Sequence, residues 1–332
     1  MRIAINGFGR IGRQFFLASL EKGMLNEIIA INDIGTLDNL TYLLKYDSIH
    51  GKRDEKILFK GNELIVEGKN ILFFNEKEPE NLPWKKLNID LVIESSGLFT
   101  TKQDAEKHIK AGAKRVLITA PGKEGIDTTI IPGVNERTLK KEHEIISMAS
   151  CTSNCVVPMA KVLNDCFKIE KGYMVTTHAF TADQKIVDAP HKDFRRGRTA
   201  SVNIIPTTTG AAKMIGEVIP ELKEKIDGYA LRVPVADGSI VNLTLFVKKQ
   251  ASEAQVNDAF REASKKELKG IIEYCSEPIV SSDIIHNSSS CIFDSLFTKC
   301  IGKMINVIGW YDNEWGYSCR LVDLCKIIEK LK

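Results

Sequence analysis

Two side chains carry the clearest chemistry in this chain. Cys151 lies in Ala149-Ser150-Cys151-Thr152-Ser153-Asn154-Cys155, and His178 in Val175-Thr176-Thr177-His178-Ala179-Phe180-Thr181. A cysteine attacks an aldehyde near neutral pH only as its thiolate, and a free thiol has a pKa of about 8.5. The sequence offers two ways to lower that value. Ser150 reads as a helix N-cap, which puts Cys151 in the first turn, near the positive end of the helix dipole. His178, at the end of a β-branched strand, can pair with the thiolate or take its proton.

These residues need a scaffold. An apolar strand over 2–5 leads into Asn6-Gly7-Phe8-Gly9-Arg10-Ile11-Gly12-Arg13, then an amphipathic helix over 14–22 and a second strand over 27–32 ending at Asp33. This is a βαβ unit. Further strands are expected over 63–66, 70–74, 90–94, 115–119 and 144–147, with a helix over 102–111. Strands alternating with helices imply an α/β, Rossmann-type, doubly wound parallel sheet. From Cys151 the character changes. A helix runs to about residue 166, with an irregular turn or kink expected at Pro158. A long polar, basic loop covers 180–203, and loops of that length inside a compact domain are usually functional. Strands over 229–233 and 239–247 point to an α+β second domain with a mostly antiparallel sheet. Helices are expected over 254–268 and 318–331.

Gly7, Gly9 and Gly12 match the dinucleotide fingerprint, with Asp33 about 20 residues beyond it. The first glycine permits a tight turn, the second lets the backbone approach a pyrophosphate, and the third allows close packing of helix on strand. The Asp33 carboxylate can accept from an adenosine ribose and would repel a 2′-phosphate, so NAD is favoured over NADP.

Composition narrows the alternatives. The chain has 332 residues and a formal charge of +3, too mild for a dedicated nucleic-acid surface. No stretch of ~18 apolar residues suggests a membrane span. The N-terminus opens directly on a strand, without the pattern of a signal peptide. The eight cysteines are scattered, which fits free thiols in a reducing cytoplasm. Their spacing gives no metal site. Cys155 reads as a packing thiol, and a disulfide to an oxidised Cys151 is the minor alternative. His50, His108, His143, His191 and His286 read as structural or surface groups, as do Trp310 and Trp315. Arg195, Arg196 and Arg198 form a basic cluster that suits phosphate or subunit contact better than nucleic acid, since aromatic residues are sparse around it.

The glycine motif, the Cys151 block, Asp188-Ala189-Pro190-His191-Lys192-Asp193, Ile205-Pro206-Thr207-Thr208-Thr209-Gly210-Ala211-Ala212 and Trp310-Tyr311-Asp312-Asn313-Glu314-Trp315-Gly316-Tyr317-Ser318 together resemble the phosphorylating glyceraldehyde-3-phosphate dehydrogenase family. The resemblance is collinear over essentially the whole chain. It implies an NAD-binding domain over 1–150, a catalytic domain over 151–317 and a C-terminal helix over 318–332 that packs back on the first. It implies Cys151 as nucleophile and His178 as its activator. The backbone of Arg10 and Ile11, with Asp33, Lys77, Thr119 and Asn313, would bind NAD. Ser150, Thr152, Thr181, Arg196, Thr209, Gly210 and Arg232 would bind two phosphates, one on glyceraldehyde 3-phosphate and one inorganic. A cytoplasmic homotetramer is implied, with the 180–203 loop near a neighbouring subunit's cofactor.

Three positions depart from the usual pattern. Met148 stands where Asn is common, Ser153 where Thr is common, and Ala182 where a polar residue is frequent. None removes a catalytic group. The nearest alternative activity, oxidation of erythrose 4-phosphate, is disfavoured because 206–212 follows the triose-phosphate pattern. A non-catalytic NAD-binding or adhesion role is disfavoured by the intact Cys151, His178, Arg196 and Arg232.

Overall fold

The computed structural model describes residues 1–331. They divide into two compact units: Met1–Ile130, Glu136–Ala149 and the residues from Ser318 onward form one, and Ile131–Asn135 with Ser150–Tyr317 form the other.

The first unit is built on a nine-stranded sheet. Strand Ile3–Asn6 lies between Leu91–Glu94 and Ile28–Asn32, parallel to both. Arg115–Ile118, Ile145–Ser147 and Thr128–Thr129 extend the parallel run on one side, and Lys69–Phe74 extends it on the other. Glu63–Val66 and Ile57–Lys60 then add an antiparallel edge. Every residue of Ile3–Asn6 and Leu91–Glu94 is buried. That is why these strands read as continuous apolar runs: a parallel sheet is covered on both faces. Asn6, Asn32 and Glu94 are the polar exceptions, each the last residue of its strand.

The second unit holds a seven-stranded sheet in the order Ile205–Thr208, Ile226–Val233, Ile169–Ala179, Ser239–Val247, Met304–Tyr311, Cys291–Ile301, Ile272–Cys275. It is mostly antiparallel, with two parallel pairings. Strands Ser239–Val247 and Met304–Tyr311 alternate between buried and more exposed residues, the signature of a sheet with one covered face. The helix Cys151–Phe167 packs on that sheet.

Several elements differ from the sequence expectation. The first helix spans Arg10–Glu21, so it begins inside the glycine motif and not after it. Helix Cys151–Phe167 runs unbroken through Pro158. Proline removes one backbone donor there, and the surrounding buried side chains hold the helix in place. Helices Leu37–Lys45 and Ala211–Val218 and strand Ile57–Lys60 were not legible, being short segments formed through tertiary contact. The last helix spans Trp315–Glu329, starting earlier than residue 318 because Asp312 Oδ1 accepts from the Glu314 and Trp315 amides. Among the described residues, no helix is long and apolar enough to cross a membrane.

Candidate active site

In the first unit, the glycine motif folds as its chemistry requires. Gly7 has φ +91°, and a Cβ there would meet Ser96 N at 2.4 Å. A Cβ on Gly12 would meet the Gly7 carbonyl oxygen at 2.1 Å. Gly9 is different: its φ is −71° and nothing lies within 4 Å of where its Cβ would stand. The first and third glycines are therefore demanded by packing. The second opens onto free space, as close approach by a pyrophosphate needs. Arg10 and Ile11 form the first turn of helix Arg10–Glu21, whose N-terminal amides favour an anion. The Arg10 side chain turns away to pair with Asp47 at 2.6 Å.

A cleft of about 180 Å³ opens at the carboxyl ends of the strands, lined by Gly7, Gly9, Asp33, Lys77, Ser96 and Phe99, among others. Asp33 accepts from the Phe8 amide at 2.6 Å and from the Gly35 amide at 2.7 Å. It thus anchors the glycine turn at the rim of the cleft. Thr119 follows strand Arg115–Ile118 and donates its amide to Glu94 O at 3.0 Å. The open position at Gly9, the helix N-terminus and the acidic rim fit NAD.

In the second unit, Ser150 caps the helix as expected, its Oγ accepting from the Ser153 amide at 3.1 Å. Ser153 Oγ lies 2.9 Å from Ser150 Oγ, so the departure at Ser153 keeps a hydroxyl in the cap. Cys151 opens the helix, and its Sγ lies 3.4 Å from His178 Nε2. His178 is buried near the end of strand Ile169–Ala179. Parallel register sets Arg232 directly beside it. Arg232 Nη1 lies 2.7 Å from His178 Nδ1 and donates to Ala179 O at 3.0 Å, while Nδ1 also lies 2.7 Å from that oxygen. The carbonyl favours a proton on Nδ1 and a bare Nε2 facing the thiol. The guanidinium favours the opposite tautomer. The two contacts therefore compete over whether the Nε2 that faces Cys151 carries the proton.

Electrostatics departs from the simple expectation of a lowered thiol pKa. Burial pushes Cys151 up to about 11, against the pull of the Arg232 charge and hydrogen bonds from Thr152. Burial, then the Arg232 charge, takes His178 down to about 3. Desolvation outweighs the helix dipole, which contributes at most ~2 kcal/mol. Both shifts favour the uncharged forms of the pair. Asp237, buried beside Asp312 and Glu314, is pushed up to about 9, burial being the larger cause. Its charge, where present, opposes the thiolate.

The expected phosphate ligands divide by role. Arg232 Nε is buried and has no hydrogen-bond partner, a donor awaiting an acceptor. Arg196 donates to Asp183 at 2.7 Å and to Thr207 Oγ1 at 2.9 Å, and its charge reaches both His178 and Arg232. Gly210 caps helix Ala211–Val218, and Thr209 Oγ1 accepts from the Ala211 amide at 3.2 Å. Thr152 Oγ1 is bonded to the Tyr311 hydroxyl at 2.8 Å. The Thr181 amide donates to Gln184 at 3.3 Å. Among the described residues, Thr181, Thr209 and Gly210 make no direct bond to the Cys151–His178 pair.

Two residues carried no signal of their own in the sequence. Tyr311 is buried, bridges Thr152 and Thr176 (2.8 and 2.9 Å), and sets its ring edge-on to His178 at 5.9 Å. Ser239 accepts from the Ala179 amide at 3.1 Å and donates to Asn313 Oδ1 at 2.6 Å. The Asn313 amide is thereby oriented with its NH₂ directed away from Ser239. Met148 is fully buried and Ala182 is exposed. Cys155 is a buried packing thiol, 3.8 Å from Gly309 O.

A Rossmann-type sheet with a dinucleotide cleft in one unit and a Cys–His–Arg cluster in the other define the class of NAD-dependent dehydrogenases. Comparison with known proteins narrows this. Residues 1–102 match the glyceraldehyde 3-phosphate dehydrogenase NAD binding domain, and residues 150–313 match the C-terminal domain of the same enzymes. The chain is 52% identical over 326 residues to glyceraldehyde-3-phosphate dehydrogenase 2 of Streptomyces avermitilis, covering 98% of this chain and 97% of that one. It is 49% identical over 330 residues to glyceraldehyde-3-phosphate dehydrogenase of Geobacillus stearothermophilus, covering 99% and 98%. The chain belongs to the glyceraldehyde-3-phosphate dehydrogenase family.

The glycine geometry yields a paired prediction. Gly12→Ala gains up to ~1 kcal/mol of helix propensity but overpacks a backbone oxygen, costing about 3 kcal/mol. Its melting temperature should fall. Gly9→Ala should melt close to the wild type yet bind NAD roughly tenfold or more weakly, because its methyl enters the open approach. Calorimetric melts and NAD titration check both. Equal stability loss in the two variants would contradict the assignment.

Proposed function

We propose that this chain oxidises glyceraldehyde 3-phosphate to 1,3-bisphosphoglycerate, with NAD and inorganic phosphate as co-substrates and Cys151 as the nucleophile. The observation that carries the reading is the Cys151 Sγ to His178 Nε2 contact at 3.4 Å, with Arg232 on the far side of the imidazole.

Cys151 adds to the aldehyde carbon as its thiol proton passes to His178, and His178 returns that proton to the carbonyl oxygen, giving a thiohemiacetal. His178 then takes the hydroxyl proton as hydride leaves the same carbon, and a thioester remains on Cys151. NAD, when bound, supplies the hydride acceptor. Inorganic phosphate attacks the thioester carbon, the acyl phosphate departs, and the sulfur is released as thiolate. Arg232 and Arg196 hold the anionic groups through charge-assisted hydrogen bonds. Burial makes charge separation between Cys151 and His178 unfavourable by itself, so an arriving anion has a second effect. It engages Arg232, offsets the positive charge beside His178, and raises the basicity of the imidazole. Catalysis and anion binding are coupled through one guanidinium.

We further infer a cytoplasmic homotetramer. The loop over 180–204 exposes Ile186, Val187, Phe194, Val202 and Ile204, with Phe194 91% exposed. Such a concentration of apolar surface suits burial against another copy. Light scattering should give about four chains per particle. A monomer at micromolar concentration would contradict this.

The activity is tested by following reduced nicotinamide with glyceraldehyde 3-phosphate and NAD, with and without inorganic phosphate. Turnover should depend strongly on phosphate, and Cys151→Ser should lower it by at least ~10⁴-fold while keeping NAD affinity. Phosphate-independent turnover would point to hydrolysis of the thioester and remove the role given to the two arginines.

A further inference from the structure

Beneath the dinucleotide cleft lies a buried polar chain that the chemistry above leaves unused. At its centre is Glu94, the last residue of its strand and 1% exposed. Its Oε2 accepts from Asn6 Nδ2 at 2.6 Å and faces His108 Nε2 at 3.1 Å. Its Oε1 accepts from the Ser96 amide at 2.8 Å and from the Ser96 hydroxyl. His108 is itself fully buried, and its Nδ1 accepts from Trp84 Nε1–H at 3.0 Å. That bond leaves the imidazole proton on Nε2, pointing at Glu94. Four donors converge on the carboxyl group, the complement of an ionised carboxylate acting as acceptor only.

The charge on Glu94 fixes the polarity of what lies beyond it. Asn6 must present its NH₂ to the carboxylate, so its Oδ1 faces outward and accepts from Asn32 Nδ2 at 2.7 Å. Asn32 must then also present Nδ2 to Glu76 O and Oδ1 to the Glu76 amide, both at 2.9 Å. Glu76 and Lys77 form one wall of the cleft. On the other side, Ser96 is held by Glu94 and fills the space a Cβ on Gly7 would need, and Ser95 Oγ donates to Gly7 O at 2.6 Å. One buried charge therefore aligns the glycine turn, the Ser95–Ser96 segment and the Glu76–Lys77 wall.

We propose that Glu94 is a positioning residue for the dinucleotide: its carboxylate orients the Asn6–Asn32 amide chain and the Ser96 segment, and so sets the affinity of the cleft for NAD. The proposal rests on the reading of that cleft as the NAD site. Glu94 acts through other residues and touches no reacting atom, so its loss should appear in cofactor affinity and not in the chemical step.

The test compares Glu94→Gln and Glu94→Asp in the full chain. Glutamine keeps the shape but replaces one acceptor oxygen with a donor. Either the Ser96 amide or the Asn6–His108 pair then faces another donor. The Kd and KM for NAD should rise about tenfold, the size expected for one buried donor left unsatisfied. The kcat at saturating NAD should stay within roughly twofold, and the KM for phosphate should be unchanged. Glu94→Asp retains the charge and should recover part of the affinity. The indole N–H resonance of Trp84, assigned with Trp84→Phe, should shift in Glu94→Gln because it reports on the His108 ring. Should Glu94→Gln fail to fold, Ser96→Ala removes a single donor and should raise the Kd by a smaller factor. NAD binding by the folded Glu94→Gln within twofold of wild type would overturn the proposal. So would equal impairment of Gln and Asp, which would mean packing alone is at work, or an unchanged Kd in Ser96→Ala. Failure of the wild type to bind NAD would instead overturn the reading of the cleft on which the proposal stands.

Discussion

Burial of a thiol and an imidazole side by side, with a guanidinium against the imidazole, is the constraint around which the second unit is organised. Removing Cys151 and His178 from water disfavours charge on both, and Arg232 acts on them in opposite senses. It favours thiolate and opposes imidazolium. A proton moving from sulfur to nitrogen changes the charges that Arg232 faces, and Arg232 also carries a buried N–H without a partner. The same residue thus offers a free donor and acts on both members of the pair. This follows from strand register, which places His178 and Arg232 as neighbours on two parallel strands of an otherwise mostly antiparallel sheet.

The surrounding hydrogen bonds hold this arrangement from several elements at once. The Ser150 cap fixes the start of the helix bearing Cys151. Tyr311 ties Thr152, next to the nucleophile, to Thr176, two residues before His178. Ser239 links the strand end at Ala179 to Asn313. Polar side chains at strand ends do comparable work in the first unit, where Asn6, Asn32 and Glu94 are the only interruptions in their buried strands. A buried polar network of this kind is favourable only when its members are satisfied together.

Much of this was legible in the sequence, and the reasons are local. The glycine spacing after an apolar strand predicts a turn and a helix N-terminus because only certain backbone conformations satisfy it. Ser150 before Cys151 predicts the cap. Strands alternating with helices in the first half, and the longer strands over 229–233 and 239–247 in the second, predict the two kinds of sheet. What stayed hidden depends on distance in space. The His178–Arg232 adjacency comes from pairing between strands far apart in the chain. Tyr311 and Ser239 look like ordinary strand residues until their partners are known. His108 gave no hint of Trp84 on one ring nitrogen and Glu94 on the other. The expectation of a lowered thiol pKa considered the dipole and the imidazole but not the desolvation that outweighs them, because burial at one atom is a tertiary quantity.

The control that Arg232 exerts over His178 can be measured directly by following the His178 imidazole by NMR against pH. A Cys151→Ser background removes the coupled titration of the thiol. His178 should titrate at higher pH when Arg232→Gln is added. Inorganic phosphate should raise the titration in the protein that keeps Arg232 and leave it unmoved in Arg232→Gln. A His178 titration indifferent to both the substitution and the anion would contradict the account.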